Sequence, residues 1–195
     1  MPILPARAGP RRERPVVKRR RWFRRLPAPA PGCRLRGWLQ EPGSLTRRCQ
    51  RLCQDFRVQL LRQARAADCI APGQTRARQT WVREVLLCCD GVPVIFAHTT
   101  LSTVNRGRLN RWLARLGSRS LGSLLFAHPG FRRGPIEFCR LDGRDPLYRA
   151  LAAAWPAGTP LPPSLWARRS THALAGQRVC VCEVFLPAIL SLPAV

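Results

Sequence analysis

Two charged side chains stand at positions that the surrounding pattern reserves for apolar ones. In the segment TWVREVLLCC, residues 80–89, strand alternation puts Trp81, Arg83, Val85 and Leu87 on one face, with Arg83 the lone charge among them. In QRVCVCEVFLP, residues 177–187, the same rule groups Val179, Val181, Glu183 and Phe185. A buried isolated ion costs several kcal/mol, so each group needs a partner or must line a cavity that supplies one. Two arrangements meet that demand. Arg83 and Glu183 pair inside the core, or they are the few placed polar groups of an otherwise apolar pocket, the make-up of a small-molecule site. In a pocket the arginine offers a bidentate grip on a carboxylate. The glutamate, pushed toward its protonated form by apolar surroundings, would act there as an acid or hydrogen-bond donor.

The elements that must position these charges can be read from periodicity and turn chemistry. From Gly37 to Cys69 the pattern is helical, with Ser44 as a possible N-cap and Leu45, Cys49, Cys53, Phe56 and Leu60 spaced by three or four. After a break at Pro72–Gly73, branched residues flank Asp90–Gly91, a strong hairpin signal. Residues 107–128 read as helix, turn and short helix, residues 134–143 contain a strand, and Pro146 opens a further helix. Strands are expected near 80–87, 92–100, 135–141, 167–174 and 178–186, the last two joined by a turn at Gly176. Interleaved with helices, they make one α+β domain around an antiparallel sheet.

Composition narrows the class. The 195 residues carry a formal charge of +24, nearly all of it arginine, since Lys18 is the sole lysine. Residues 1–25 hold ten basic side chains and one acid, Glu13. With its prolines, the segment 1–31 reads as a disordered, non-essential tail preceding a domain over 32–195. Arginine runs bind phosphate without specificity, and no recognition helix or stacking motif accompanies these, so no specific nucleic-acid partner is expected. The nine cysteines are odd in number and lack repeated C-x-x-C spacing, which favours reduced, buried thiols in a cytoplasmic protein over disulfides or a metal site. No apolar run reaches the roughly 18 residues of a membrane span.

Four stretches, WVREVLLCCDGVPVIFA, LGSRSLGSLLF, LWARRS and CEVFLP, occur in this order and resemble the motifs of the chorismate pyruvate-lyase family. The resemblance implies an α+β fold with a six-stranded antiparallel sheet and a ligand beneath helical flaps. It also implies a cofactor-free, metal-free reaction in which chorismate loses pyruvate to give 4-hydroxybenzoate, the opening step of ubiquinone synthesis. By motif position, Arg83 would hold the ring carboxylate together with the backbone amide of Leu121. Glu183 would face the oxygen at C4, taken as the departing ether oxygen that becomes the product hydroxyl. Leu45 would close over the ligand. His98 stands where the family commonly has an arginine, and could grip an anion or donate a hydrogen bond. His128 and His172 are read as structural or surface residues. A monomer is expected. The rival reading, a non-catalytic effector-sensing domain of the same fold, lacks here the preceding winged-helix domain that such regulators carry.

Overall fold

The computed structural model describes residues 21–72, 77–101, 116, 121, 130–174 and 176–193. Helix α1 spans Cys33–Leu39 and α2 spans Leu45–Leu52, followed by strands β1 (Phe56–Asp68), β2 (Arg78–Cys89) and β3 (Val92–Leu101). Then come β4 (Arg132–Arg133), β5 (Glu137–Asp142), α3 (Pro146–Ala154), β6 (Ser164–Leu174) and β7 (Gln177–Phe185), with a closing 3-10 turn over Pro187–Ser191. The strands form one antiparallel sheet in the order β1-β2-β3-β7-β6, with β4 and β5 both against the outer side of β6. The α+β expectation is met, with seven strands described instead of six.

Two strands go beyond the five read from periodicity, the two-residue β4 and the edge strand β1, and β1 is a correction. The sequence reads as helix through Cys69, but α2 ends at Leu52 and the chain continues as the 13-residue edge strand β1. A bulge explains why periodicity misled. Leu60 pairs with Val85 and Arg62 with Glu84, so Leu61 is an extra residue that shifts the alternation by one. Phe56 and Val58 then pack on one sheet face and Leu61 on the other, which in sequence mimics a three-to-four spacing. The true helix stops because Asp90 intervenes. Its carboxylate accepts from the amides of Gln54 and Asp55 at 2.9 and 2.8 Å, pinning the start of β1 to the β2–β3 turn. In that turn Asp90 and Gly91 both have positive φ, 50° and 79°, as a two-residue primed turn requires.

Each sheet face carries a core. On one, α1, α2 and the 3-10 turn bring Trp38, Leu39, Leu45 and Ile189 against Val85, Ile95 and Phe185. On the other, α3 brings Leu147 and Leu151 against Phe96, Val184 and Leu141. Helix α3 begins as expected, with Pro146 in its first turn and Asp145 capping the Leu147 amide at 2.7 Å. Cys180 and Cys182 pack in the second core, Cys49 and Cys89 in the first.

Residues 1–20 and most of the helix expected at 107–128 lie outside the described residues. Residues 21–31, however, are not detached: Phe23 exchanges backbone hydrogen bonds with Phe138 at 3.0 and 2.7 Å, and the Arg169 guanidinium lies 4.6 Å from the Trp22 ring. No helix among the described residues is long and apolar enough to cross a membrane.

Candidate active site

Between the first sheet face and α2 lies a cleft whose floor is laid out by strand register. One cross-strand row runs Val85, Ala97, Glu183, Arg168. The next, two residues along, runs Arg83, Thr99, Val181, Ser170. All eight side chains line the cleft. The small residues Ala97 and Thr99 at the middle of both rows leave space that larger side chains would fill. Arg83 and Glu183 thus sit diagonally, two strands and two residues apart, about 12 Å between Cα positions for standard strand spacings.

Among the described residues Glu183 forms an ion pair with Arg168, whose Nε donates to Oε2 at 2.6 Å. Arg168 is buried, 1% exposed, and its Nη1 also donates to the backbone carbonyl of Glu41 at 2.6 Å and, more weakly, to that of Leu39 at 3.4 Å. Arg83 is 2% exposed on the floor of the same cleft. Desolvation lowers its pKa to about 10, which leaves it cationic at neutral pH. Apolar surroundings alone therefore do not describe Glu183. Its carboxylate accepts a charge-assisted hydrogen bond from a buried guanidinium.

The roof is α2. Ser44 accepts from the Arg47 amide at 3.3 Å as the expected N-cap, and this start places Leu45 and Thr46, both buried, over the cleft. Leu121, also buried, lines the cleft, while the residues around it in sequence lie outside the described residues.

His98 does not join this group. It projects from the opposite face of β3, where its Nδ1 lies 3.0 Å from Oε1 of Glu84 and its Nε2 3.2 Å from Oδ1 of Asp68. Burial opposes its charge, but the contacts with Asp68 and Glu84 prevail and raise its pKa to about 9. Asp68 is in turn lowered: burial works against this, and His98 with the amides of Ile70 and Ala71 outweighs it. The expectation that His98 bears on the pocket is corrected accordingly, since its anions are the protein's own.

Three cleft residues were missed as candidates. Arg168 lies within the LWARRS motif, which by itself gives it no role, Arg133 has no pattern that marks it, and His172 reads from the sequence as structural or surface. His172 is buried and lines the cleft, its Nε2 3.1 Å from Ser170 Oγ. Desolvation, then the charges of Arg133 and Arg168, lower its pKa to about 4, so it is neutral at pH 7. Among the described lining residues the charges are Arg83, Arg133 and Arg168 against Glu183, an excess of two positive charges. Alternation along β6 was the signal that could have found Arg168 and His172, because both share a face with Ser170.

Known proteins resemble the chain throughout. A family model described as "Chorismate lyase" matches residues 17–194. A protein of Dechloromonas aromatica named "Probable chorismate pyruvate-lyase" is 60% identical over 176 residues, 89% of this chain and 98% of that relative. Proteins of the same name from Aromatoleum aromaticum and Methylobacillus flagellatus are 46% and 42% identical, over 88% and 91% of this chain and 95% and 98% of theirs. A match of this length and identity places the cleft in a known setting: the chain belongs to the chorismate lyase family and is a lyase.

Proposed function

We propose that the cleft binds chorismate and converts it to 4-hydroxybenzoate and pyruvate. The observation that carries this reading is the charge of the cleft, two positive in excess, against a substrate with two carboxylates. Arg83, at one corner of the floor, takes the ring carboxylate, and Glu183, at the diagonal corner, meets the C4 oxygen. Atom balance corrects the role first given to that oxygen. In chorismate the enolpyruvyl ether is carried on C3 and C4 bears a hydroxyl, which the product keeps. The C3–O bond breaks with its electrons leaving on the ether oxygen. The C4 hydrogen is lost, its bonding pair completing the aromatic ring, and one hydrogen ends in the methyl group of pyruvate.

Glu183, held by Arg168, accepts a hydrogen bond from the C4 hydroxyl, orienting the ring and stabilising the positive character that grows on it as the ether bond lengthens. Arg83 and the further cations offset the charge developing on the departing enolpyruvyl group. Leu45 and Thr46 exclude water above the ring. Because aromatisation drives the reaction, orientation and fixed charges are sufficient contributions from the protein. The product's place at the entry of ubiquinone synthesis follows from the same reading.

The test is turnover. Purified protein given chorismate, in buffer containing a metal chelator and no nucleotide, should release pyruvate and 4-hydroxybenzoate in equal amounts. Product formation no faster than the spontaneous rate, with the protein folded, would overturn the reading; 4-hydroxybenzoate binding without turnover would point to effector sensing instead.

A further inference from the structure

Residues 40–44 connect α1 to α2 without belonging to either helix or to the sheet, yet their polar groups are not left to water. The Leu39 and Glu41 carbonyls accept from Arg168, and the Pro42 carbonyl accepts from Arg133 Nη1 at 2.6 Å. The Glu41 carboxylate receives Arg48 at 3.1 Å and the Gly43 amide at 2.9 Å. Leu45 and Thr46, the roof of the cleft, follow directly. The roof is therefore fastened to the sheet largely through arginine side chains.

One of these fasteners is shared with the chemistry. A guanidinium offers donors in a fixed planar fork, so moving one edge moves the other. Arg168 spends Nε on Glu183 and Nη1 on the Glu41 carbonyl of the linker and, more weakly, on that of Leu39 at the end of α1. At 1% exposure it has no water to fall back on, and loss of its carboxylate would leave a buried charge uncompensated.

We propose that Arg168 is a positioning residue that couples Glu183 to the roof: it orients the Glu183 carboxylate toward the ligand and latches the end of α1 and the linker at the Leu39 and Glu41 carbonyls. A ligand that engages Glu183 shifts the fork and thereby changes the hold on the linker, so closure of Leu45 and Thr46 follows occupancy of the cleft. The identity of the ligand rests on the lyase reading; the coupling does not.

Two experiments separate them. In the ligand-free protein, amide hydrogen exchange in a peptide covering residues 38–48 should quicken on the order of tenfold in Arg168→Gln, the loss of one charge-assisted bond. It should also quicken in Glu183→Gln, which alters no roof residue, while a peptide from α3 keeps its wild-type rate. Wild-type exchange over 38–48 in Glu183→Gln would overturn the coupling, and this variant serves even where Arg168→Gln does not fold. Arg168→Lys keeps the charge without the fork. By stopped-flow tryptophan fluorescence it should release 4-hydroxybenzoate about tenfold faster, with kcat for chorismate reduced more than KM; an unchanged release rate would overturn the latch. Absent turnover in the wild type would sink the lyase reading and leave the exchange result standing.

Discussion

The two faces of the sheet each bury a cluster of charges, and the clusters differ in whether they close. Behind the sheet, one imidazolium lies between two carboxylates, Asp68 and Glu84, and all three side chains are at most 8% exposed. The acids and base satisfy one another there and tie the end of β1 to β2 and β3. Facing α2, three arginines share one lining carboxylate, and the surplus is positive. A cluster whose charged groups all contact one another contributes stability, whereas one with surplus cations around a cleft stores an affinity for an anion, because desolvated cations gain most from a partner that arrives from outside. The difference teaches that burial of charge alone does not mark a site. The imbalance does.

Substitutions can break this contrast, and the largest expected effect is at Glu183. Glu183→Gln keeps an acceptor for Arg168 but removes the negative charge; kcat for chorismate should fall about 10²–10³-fold, while 4-hydroxybenzoate affinity measured by fluorescence titration changes far less. Equal losses in both would mean that Glu183 serves binding, not the transition state.

On the other face the effect should appear in stability instead of turnover. His98→Ala leaves Asp68 and Glu84 buried without their cation and should cost about 3 kcal/mol in urea unfolding, with kcat of the folded fraction unchanged. The same histidine predicts a pH dependence. Its folded pKa, about 9, exceeds the ordinary value of 6.5. Its stabilising contribution is thus complete below pH 6.5 and is lost as pH rises through 9. Unfolding free energy should decline between pH 7 and 10 in the wild type. In His98→Arg, which stays charged throughout, that part of the decline should vanish. A decline of the same size in His98→Arg would assign it to other groups.

Arg83→Ala should weaken 4-hydroxybenzoate binding by about 1.5–3 kcal/mol, the worth of a charged hydrogen-bond partner, and lower kcat/KM with it. The smallest effect concerns the N-terminal segment. Deleting residues 1–26 removes the Phe23–Phe138 bridge and the Trp22–Arg169 contact. It should lower unfolding free energy by about 1 kcal/mol relative to deleting residues 1–20; identical stabilities would show that the bridge is idle.

Much of this was legible. Alternation exposed Arg83 and Glu183, Asp90–Gly91 gave the first hairpin, and Pro146 gave the start of α3. The edge strand β1 was not legible because its bulge at Leu61 erased the period of two. The site itself divides along the same line, hairpin by hairpin. In β6–β7 the register runs unbroken from Leu174–Gln177 to Arg168–Glu183, so the turn at Gly176 already placed Arg168 opposite Glu183, had the rungs been counted back. In β2–β3 they could not be. An unbroken register from Cys89–Val92 would set Arg83 opposite His98 and bring both into one pocket. Instead a bulge beside Pro93, with Val94 as the extra residue, slips the pairing so that Arg83 meets Thr99 and His98 meets Glu84. The sequence by itself determined the lone charges, the turns and the arginine excess, because these depend on residue type and local spacing. Only the tertiary structure decided which charges share a face, because a single unpaired residue in a strand reverses every side chain beyond it.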